Sequence, residues 1–436
     1  MIKILKTFYQ NFSEIRLPLD IFFFSNIIIA LPIALITGPA IPDIFISIVA
    51  LYFLIKTIQK KLWHYYHNPI VYGFILFSIY GIIRSCFSEI TIESLTNEGS
   101  VFYFRYIFFA LGFSYLLDQN QYLSKYLLFT ILACILIVSI DGMYQYIFDV
   151  NIFGNEKYQD NRLTGLFGDE PIIGRYVSYF SIFGFALIYK NFSISKKTIF
   201  LSIIVLVIAE VMVFFSGERS PLFYLVLFSF FILIYLPHYR LYRLIGILFS
   251  ILFIFSIIQL NPIAKKRMFD QTIDHISETQ IPFLPYSKMH EAHYTVALKM
   301  FQKSPIFGVG TNTFRFQCEK KIFFYNEIGC TSHPHNYYIQ VLAELGIFGF
   351  IFIFGFFLCL LFIGLRQLYY LIINRKDSII PFNNFLFIIV LFIFWWPLIP
   401  HMSLYNNWNS IFMMLPLGFV LKISNFKEKK TYGSTN

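Results

Sequence analysis

Charge is what this sequence has least of. Aspartate, glutamate, lysine and arginine make up 13% of its 436 residues, against 57% hydrophobic residues that include 56 phenylalanines. That is too apolar for a soluble domain of this length. Two signatures are missing as well. There is no Asp-x-Asp pair to hold a metal-bound nucleotide sugar and no GxxxxGK loop to cradle a nucleotide phosphate. Cysteine is scarce, with five in the chain. Cys86, Cys134 and Cys359 fall in or at the ends of apolar runs, and Cys318 and Cys330 fall in a polar segment. A disulfide between that last pair is open, because spacing alone does not show that the geometry permits one. The first apolar run has no small-residue cleavage site and is followed at once by another, so it reads as an anchor and not as a removed signal peptide.

What is present is a succession of apolar runs of spanning length. The expected fold is all-α: a polytopic membrane protein with about 12 transmembrane helices. They are expected near residues 21–37, 40–57, 69–87, 101–117, 125–148, 171–190, 198–215, 220–237, 241–259, 336–365, 383–400 and 404–422. This divides the chain into three parts: about nine helices in residues 1–260, one long extracytoplasmic loop in 261–334, and about three helices with a cytoplasmic tail in 335–436. The net charge of +10 has to be read loop by loop, and it does not point to nucleic acid. With both termini cytoplasmic, inside segments and helix ends hold Lys3, Lys6, Arg16, Lys56, Lys60, Lys61, Lys196, Lys197, Arg240, Arg243, Arg375 and Lys376. The shorter outside connections hold only Lys157, Arg162 and Arg219, as the positive-inside rule requires. The nine lysines and arginines of the long loop do not count against this, since long loops translocate largely regardless of charge.

Ionisable residues inside membrane helices are costly and usually functional. Arg84, Arg105, Asp141, Arg175, Glu210, Arg219, Glu344 and His401 all map to the outer half or outer end of their helices in this topology. A site that opens to one side needs that distribution; a transport path would place polar groups on both sides of the midplane. Arg219 lies in SGERSP, where Gly217 and Pro221 mark a tight turn between two helices. A guanidinium at that helix start suits paired hydrogen bonds to phosphate. The segment RLTGLFGDEPIIGRY adds Arg162 and Arg175 as a second lining.

The most informative stretch is TSHPHNYYIQVLAELGIFGF, residues 331–350. Pro334 disfavours helix at His333, and Asn336 is an N-cap candidate followed by apolar residues at helical spacing, so a helix is expected to start at about Asn336. His335 then sits at a helix N-terminus, where the dipole disfavours imidazolium and attracts anions. A neutral histidine beside an anion site is what a general base near a phosphate leaving group needs. Ahead of it, Tyr294, Ala297, Leu298 and Phe301 line one face of a short amphipathic helix opposite Glu291, Thr295, Lys299 and Gln302. That helix would either lie on the membrane surface or cover a site.

Together, SGER before a membrane helix, PIFGVGTNTF at residues 305–314 and HPHNYYIQVLAELGIFGF resemble the O-antigen ligase and polymerase superfamily. The resemblance implies a membrane glycosyltransferase, without metal or cofactor, that moves an oligosaccharide from undecaprenyl pyrophosphate to an acceptor hydroxyl at the periplasmic face of the bacterial inner membrane. His335 and Arg219 would be its catalytic residues. Arg105, Arg162, Arg175, Lys288, His290, His293, His333 and Glu344 are the candidates for binding substrate. Partners implied are the lipid-linked donor, an acceptor glycan on a lipid-linked repeat or on lipid A core, membrane lipid and a chain-length regulator protein. Ligases of the family have a second essential arginine ahead of the amphipathic helix, where this chain has Lys288, His290 and His293. That departure leans towards a polymerase of O-antigen or a related surface polysaccharide, with a ligase acting on lipid A core or protein as the alternative. A transporter of lipid-linked oligosaccharide is the reading from another class. Direct displacement at the anomeric carbon would invert its configuration.

Overall fold

The computed structural model describes residues 17–96, 100–158, 162–260, 266–270, 273, 287–375 and 380–432. Lys3, Lys6, Arg16, Lys376 and most of the segment between Leu260 and Ser287 lie outside them. Thirteen longer helices frame the described residues: α1 Leu19–Ala34, α2 Ala40–Lys60, α3 Pro69–Cys86, α4 Arg105–Gln119, α5 Leu123–Phe148, α6 Ile173–Asn191, α7 Lys196–Ser216, α8 Arg219–Tyr235, α9 Arg240–Leu260, α10 Lys288–Lys303, α11 Tyr337–Ile372, α12 Phe382–Phe394 and α13 Asn407–Tyr432. Six helical stretches are long and apolar enough to cross a membrane: α2, α3, the run ending in α4, α5, α7 and α11. Shorter apolar helices are α1, α8 and α12.

Local chemistry sets several starts. The Asn68 side chain accepts the Ile70 N–H at 2.9 Å ahead of Pro69, where a missing N–H costs nothing. Asn336 accepts the N–H groups of Tyr338 at 3.0 Å and Ile339 at 3.2 Å, so α11 starts where its N-cap predicts. α6 is apolar all round and buried along nearly its whole length, which makes it the inner helix against which α5, α7, α8 and α12 pack. Two expectations about boundaries change. Pro397 and Pro400 lack the N–H that would continue a helix, so α12 stops at Phe394 and His401 lies in a loop, not at a helix end. Glu210, expected to face the outer site, instead pairs with Arg243 across α7 and α9, with Ser229 and Ser250 completing the group. Arg243, expected at a cytoplasmic helix end, is fully buried there. Removing either charge alone would leave the other stranded in apolar surroundings.

The helix α11 is broken near its beginning. Gly346 has φ 65° and ψ −163°, a conformation open to glycine alone, and it interrupts the helical ladder. Three carbonyls are thereby released. Those of Ala343 and Glu344 accept the N–H groups of Val309 and Gly310, at 3.0 and 2.9 Å, and that of Leu345 accepts the Tyr80 hydroxyl at 2.7 Å. Ile347 donates to the Pro305 carbonyl at 2.9 Å. The two backbones approach so closely that a Cβ on Gly308 would collide with Glu344 and one on Gly346 with Ile306. Arg84 closes the other side by donating to the carbonyls of Phe307 and Gly308. The buried Glu344 carboxylate accepts the N–H groups of Asn312 and Phe314, each at 3.0 Å, and so fixes the turn that follows.

The amphipathic helix α10 lies over the start of α11. Its buried face is Ala292, His293, Tyr294, Val296, Ala297 and Met300, so Tyr294 and Ala297 face inward as expected, while Leu298, expected on that face, is exposed. Covering α11 makes this helix a lid on the protein. Beneath it, Val296, Ala297 and Met300 meet Val309, Phe314, Cys318 and Phe323 in a small core of their own. Cys318 and Cys330 are joined in a disulfide, with Cα atoms 5.1 Å apart.

Gly346→Ala should destabilise the protein by about 1–3 kcal/mol from backbone strain alone. Gly355→Ala, in the same helix with nothing within 4 Å of the added Cβ, should not. Thermal unfolding of the two purified variants gives the comparison, and equal stability would contradict this account of the break.

Candidate active site

Four parts of the chain converge at one end of the bundle. The α7–α8 turn brings Glu218 and Arg219, the start of α6 brings Gly174 and Arg175, α10 brings His290 and His293, and the stretch before α11 brings His333 and His335. Gly217, at φ 73°, ends α7 and turns the chain so that α8 begins at Arg219. Glu218 is buried, and its Oε1 accepts the Gly174 N–H at 2.6 Å. The Arg175 N–H also donates to Glu218, so this carboxylate caps α6 from another helix. Burial raises its pKa, against the opposing pull of Arg175, Arg162 and those N–H groups. Arg162 and Arg175 thus lie within range of this carboxylate, and the charges of Arg162 and Arg219 also act on each other.

The histidines form a compact cluster. Ring centres of His333, His293 and His290 lie 4.3, 5.1 and 5.8 Å from that of His335. His335 has a left-handed backbone, φ 53°, held in place by the His401 N–H donating to its carbonyl at 2.6 Å. The Nε2 of His333 lies 3.3 Å from the His401 carbonyl, which can only accept. His333 therefore carries its proton on Nε2, and its Nδ1 lies 2.9 Å from the Ser332 hydroxyl, which donates to it in the neutral ring. The His401 ring rests on Tyr337, with ring centres 4.0 Å apart. Among the described residues, no group of three or more His, Cys, Asp or Glu side chains is arranged to hold a metal ion.

On balance these rings disfavour imidazolium, because burial outweighs the backbone hydrogen bonds that favour it at His293, His333 and His401. Burial, then the charges of His333, His290, His293 and Arg175, bring the His335 pKa down to about 2. Burial brings His333 down to about 4 and His401 to about 3, in both cases with Arg175 adding to the effect, and it lowers His293 as well. Arg175 is thus the residue that links the arginines to the histidines.

Other expected binding residues are placed differently. Arg105 pairs with Asp43 at 2.6 Å and donates to Asn407 at 3.0 Å, an interhelical tie at the ends of α2, α4 and α13. Glu344 has its carboxylate turned to the backbone of the 312–314 turn. Lys288 opens α10, two residues before His290. Arg315 is a residue that the sequence reading missed. Its charge acts on both His333 and Glu344. It stands one residue beyond PIFGVGTNTF, and only its closeness in space to His333 marks it out.

Residues 203–354 match the family described as O-Antigen ligase. Over that segment the chain is similar to the O-antigen ligase and polymerase superfamily. No curated protein matches it. The matched O-antigen ligase segment holds Arg219, the lid helix α10 and all four clustered histidines, while Arg162 and Arg175 come from outside it and join through the fold. This match supports a membrane glycosyltransferase of the ligase and polymerase type.

The buried histidines set the direction of the pH dependence of stability. Their folded pKa values lie below the ordinary 6.5, so below that pH the unfolded chain binds protons that the folded chain does not. Stability is therefore full above about 6.5 and falls as pH drops from there towards about 4. Melting temperatures across that range should decline, and a constant or rising melting temperature would contradict the neutral cluster.

Proposed function

We propose that the protein polymerises undecaprenyl pyrophosphate-linked repeat units of O-antigen or a related surface polysaccharide at the outer face of the bacterial inner membrane. In this reading all twelve apolar segments span, both termini are cytoplasmic, and the lid, the histidines and the arginines face the periplasm. The observation that carries it is the line from Arg219 and Arg162 through Arg175 to His335. It sets phosphate-binding groups beside a neutral base.

The donor pyrophosphate lies on Arg219 and Arg162, with its sugar towards His335. The acceptor hydroxyl oxygen attacks the anomeric carbon, and its proton passes to a ring nitrogen of His335. The bond from that carbon to the phosphate oxygen breaks, and both electrons leave with the lipid pyrophosphate, whose charge the guanidinium groups stabilise. Attack opposite the leaving group inverts the configuration, and the protein's own residues suffice for each step. The low basicity of His335 fits this sequence of events. Positive neighbours suppress imidazolium in the free enzyme, and an entering pyrophosphate beside Arg175 offsets them. His335 becomes a competent base only when donor is bound.

The second reading is a ligase that transfers the finished glycan to lipid A core or to protein. The family description favours it, while Lys288, His290 and His293 in place of the ligases' second arginine favour the polymerase. The chemistry is the same and only the acceptor differs. In a deletion strain, loss of a polymerase leaves single capped repeats, and loss of a ligase leaves long chains on the carrier.

Purified protein given the undecaprenyl pyrophosphate-linked repeat should form a ladder of longer lipid-linked glycans. Arg219→Ala and His335→Ala should each reduce the rate by about a hundredfold or more. A variant with normal expression and normal activity would end its assignment, and transfer only when lipid A core is added would favour the ligase. The acid limb of kcat should lie at higher pH than that of kcat/KM, since only the latter reports the free enzyme. Coincident limbs would contradict donor-dependent basicity.

A further inference from the structure

Glu218 is the acidic member of the arginine group, and the mechanism above leaves it unused. It is 5% exposed, accepts the Gly174 N–H at 2.6 Å and lies within range of the charges of Arg162 and Arg175. There is no room for a side chain on Gly174 between Ser216 and Glu218, so the carboxylate is held tightly against the helix end. The N-terminus of α6 would otherwise be an anion seat of its own, and the carboxylate already fills it.

We propose that Glu218 is a fixed counter-anion that positions the arginine row and limits its affinity for pyrophosphate, so that the spent lipid carrier is released. Three guanidinium charges in a partly buried site would hold a pyrophosphate strongly, because Coulomb attraction grows as the local dielectric falls. Tight binding of the product does not help turnover, since only interactions stronger in the transition state speed the chemical step. Glu218 offsets one of the three charges. By occupying the α6 N–H groups it also leaves the phosphates the guanidinium side, nearer Arg219. It is a positioning residue and touches no reacting atom.

The inference rests on the proposed polymerase or ligase chemistry, and binding measurements separate the two. The full chain in detergent is titrated with undecaprenyl pyrophosphate, with undecaprenol as the uncharged control. Wild type should prefer the pyrophosphate and Arg219→Ala should bind it more weakly; equal binding by these two would overturn the arginine site itself. Glu218→Gln keeps an oxygen for the Gly174 N–H but loses the charge, and it should bind about tenfold more tightly. In turnover its KM for donor and its kcat should fall together. A merely structural role predicts the reverse: weaker binding and a lower kcat/KM. Weaker binding by Arg219→Ala with unchanged or weaker binding by Glu218→Gln would overturn the inference and leave the site standing. Where the glutamine variant fails to fold, Glu218→Asp, which withdraws the charge from the arginines, should shift affinity in the same direction by about twofold to threefold. Unchanged or weaker binding there would overturn the inference as well.

Discussion

A helix gives up its own backbone hydrogen bonds at Gly346, and much of the site depends on what takes them up. The released carbonyls of Ala343, Glu344 and Leu345 are satisfied by the segment around Gly308 and by Tyr80. Unpaired, they would be polar groups buried among apolar ones, which carries a steep penalty. The need to satisfy them ties three distant parts of the chain into one body: α3, the end of the long loop and the start of α11. The small core under α10 then rests on that body, and α10 holds His290 and His293 over His335.

The second constraint is electrostatic. Arg162, Arg175 and Arg219 gather in a partly buried place, where like charges repel more than they would in water. Glu218 and the burial of the histidines as neutral rings make the arrangement tolerable. Burial, with the repulsion of its positive neighbours, keeps His335 unprotonated. In the proposed mechanism an incoming pyrophosphate would relieve that field, so that substrate binding and base activation would be one electrostatic change.

Elsewhere, charges that look alike in the sequence have separate roles. Arg84 clamps the carbonyls of Phe307 and Gly308, Arg105 ties α4 to α2 through Asp43, and Glu210 pairs with Arg243. Each is satisfied within the protein, as a charge in apolar surroundings must be. Depth in the membrane alone does not separate a scaffold charge from a site charge.

The sequence by itself determined the membrane class, most of the helical segments and the start of α11 at Asn336, and it drew attention to SGER and HPHN. These follow from hydropathy, caps and turns, which act between residues close together in the chain. It also pointed to Arg162 and Arg175, because a glycine-rich turn with two arginines is visible locally. Only the tertiary structure decided that Glu218 caps α6, that Arg175 links the arginines to the histidines, that Arg315 reaches His333 and that Glu210 belongs to Arg243. It also turned Leu298 outward, since the face that α10 buries is chosen by α11 and the loop beneath it. Such pairings join residues tens to hundreds of positions apart, and no local pattern encodes them. They are fixed by which buried polar groups the packed helices leave each other to satisfy.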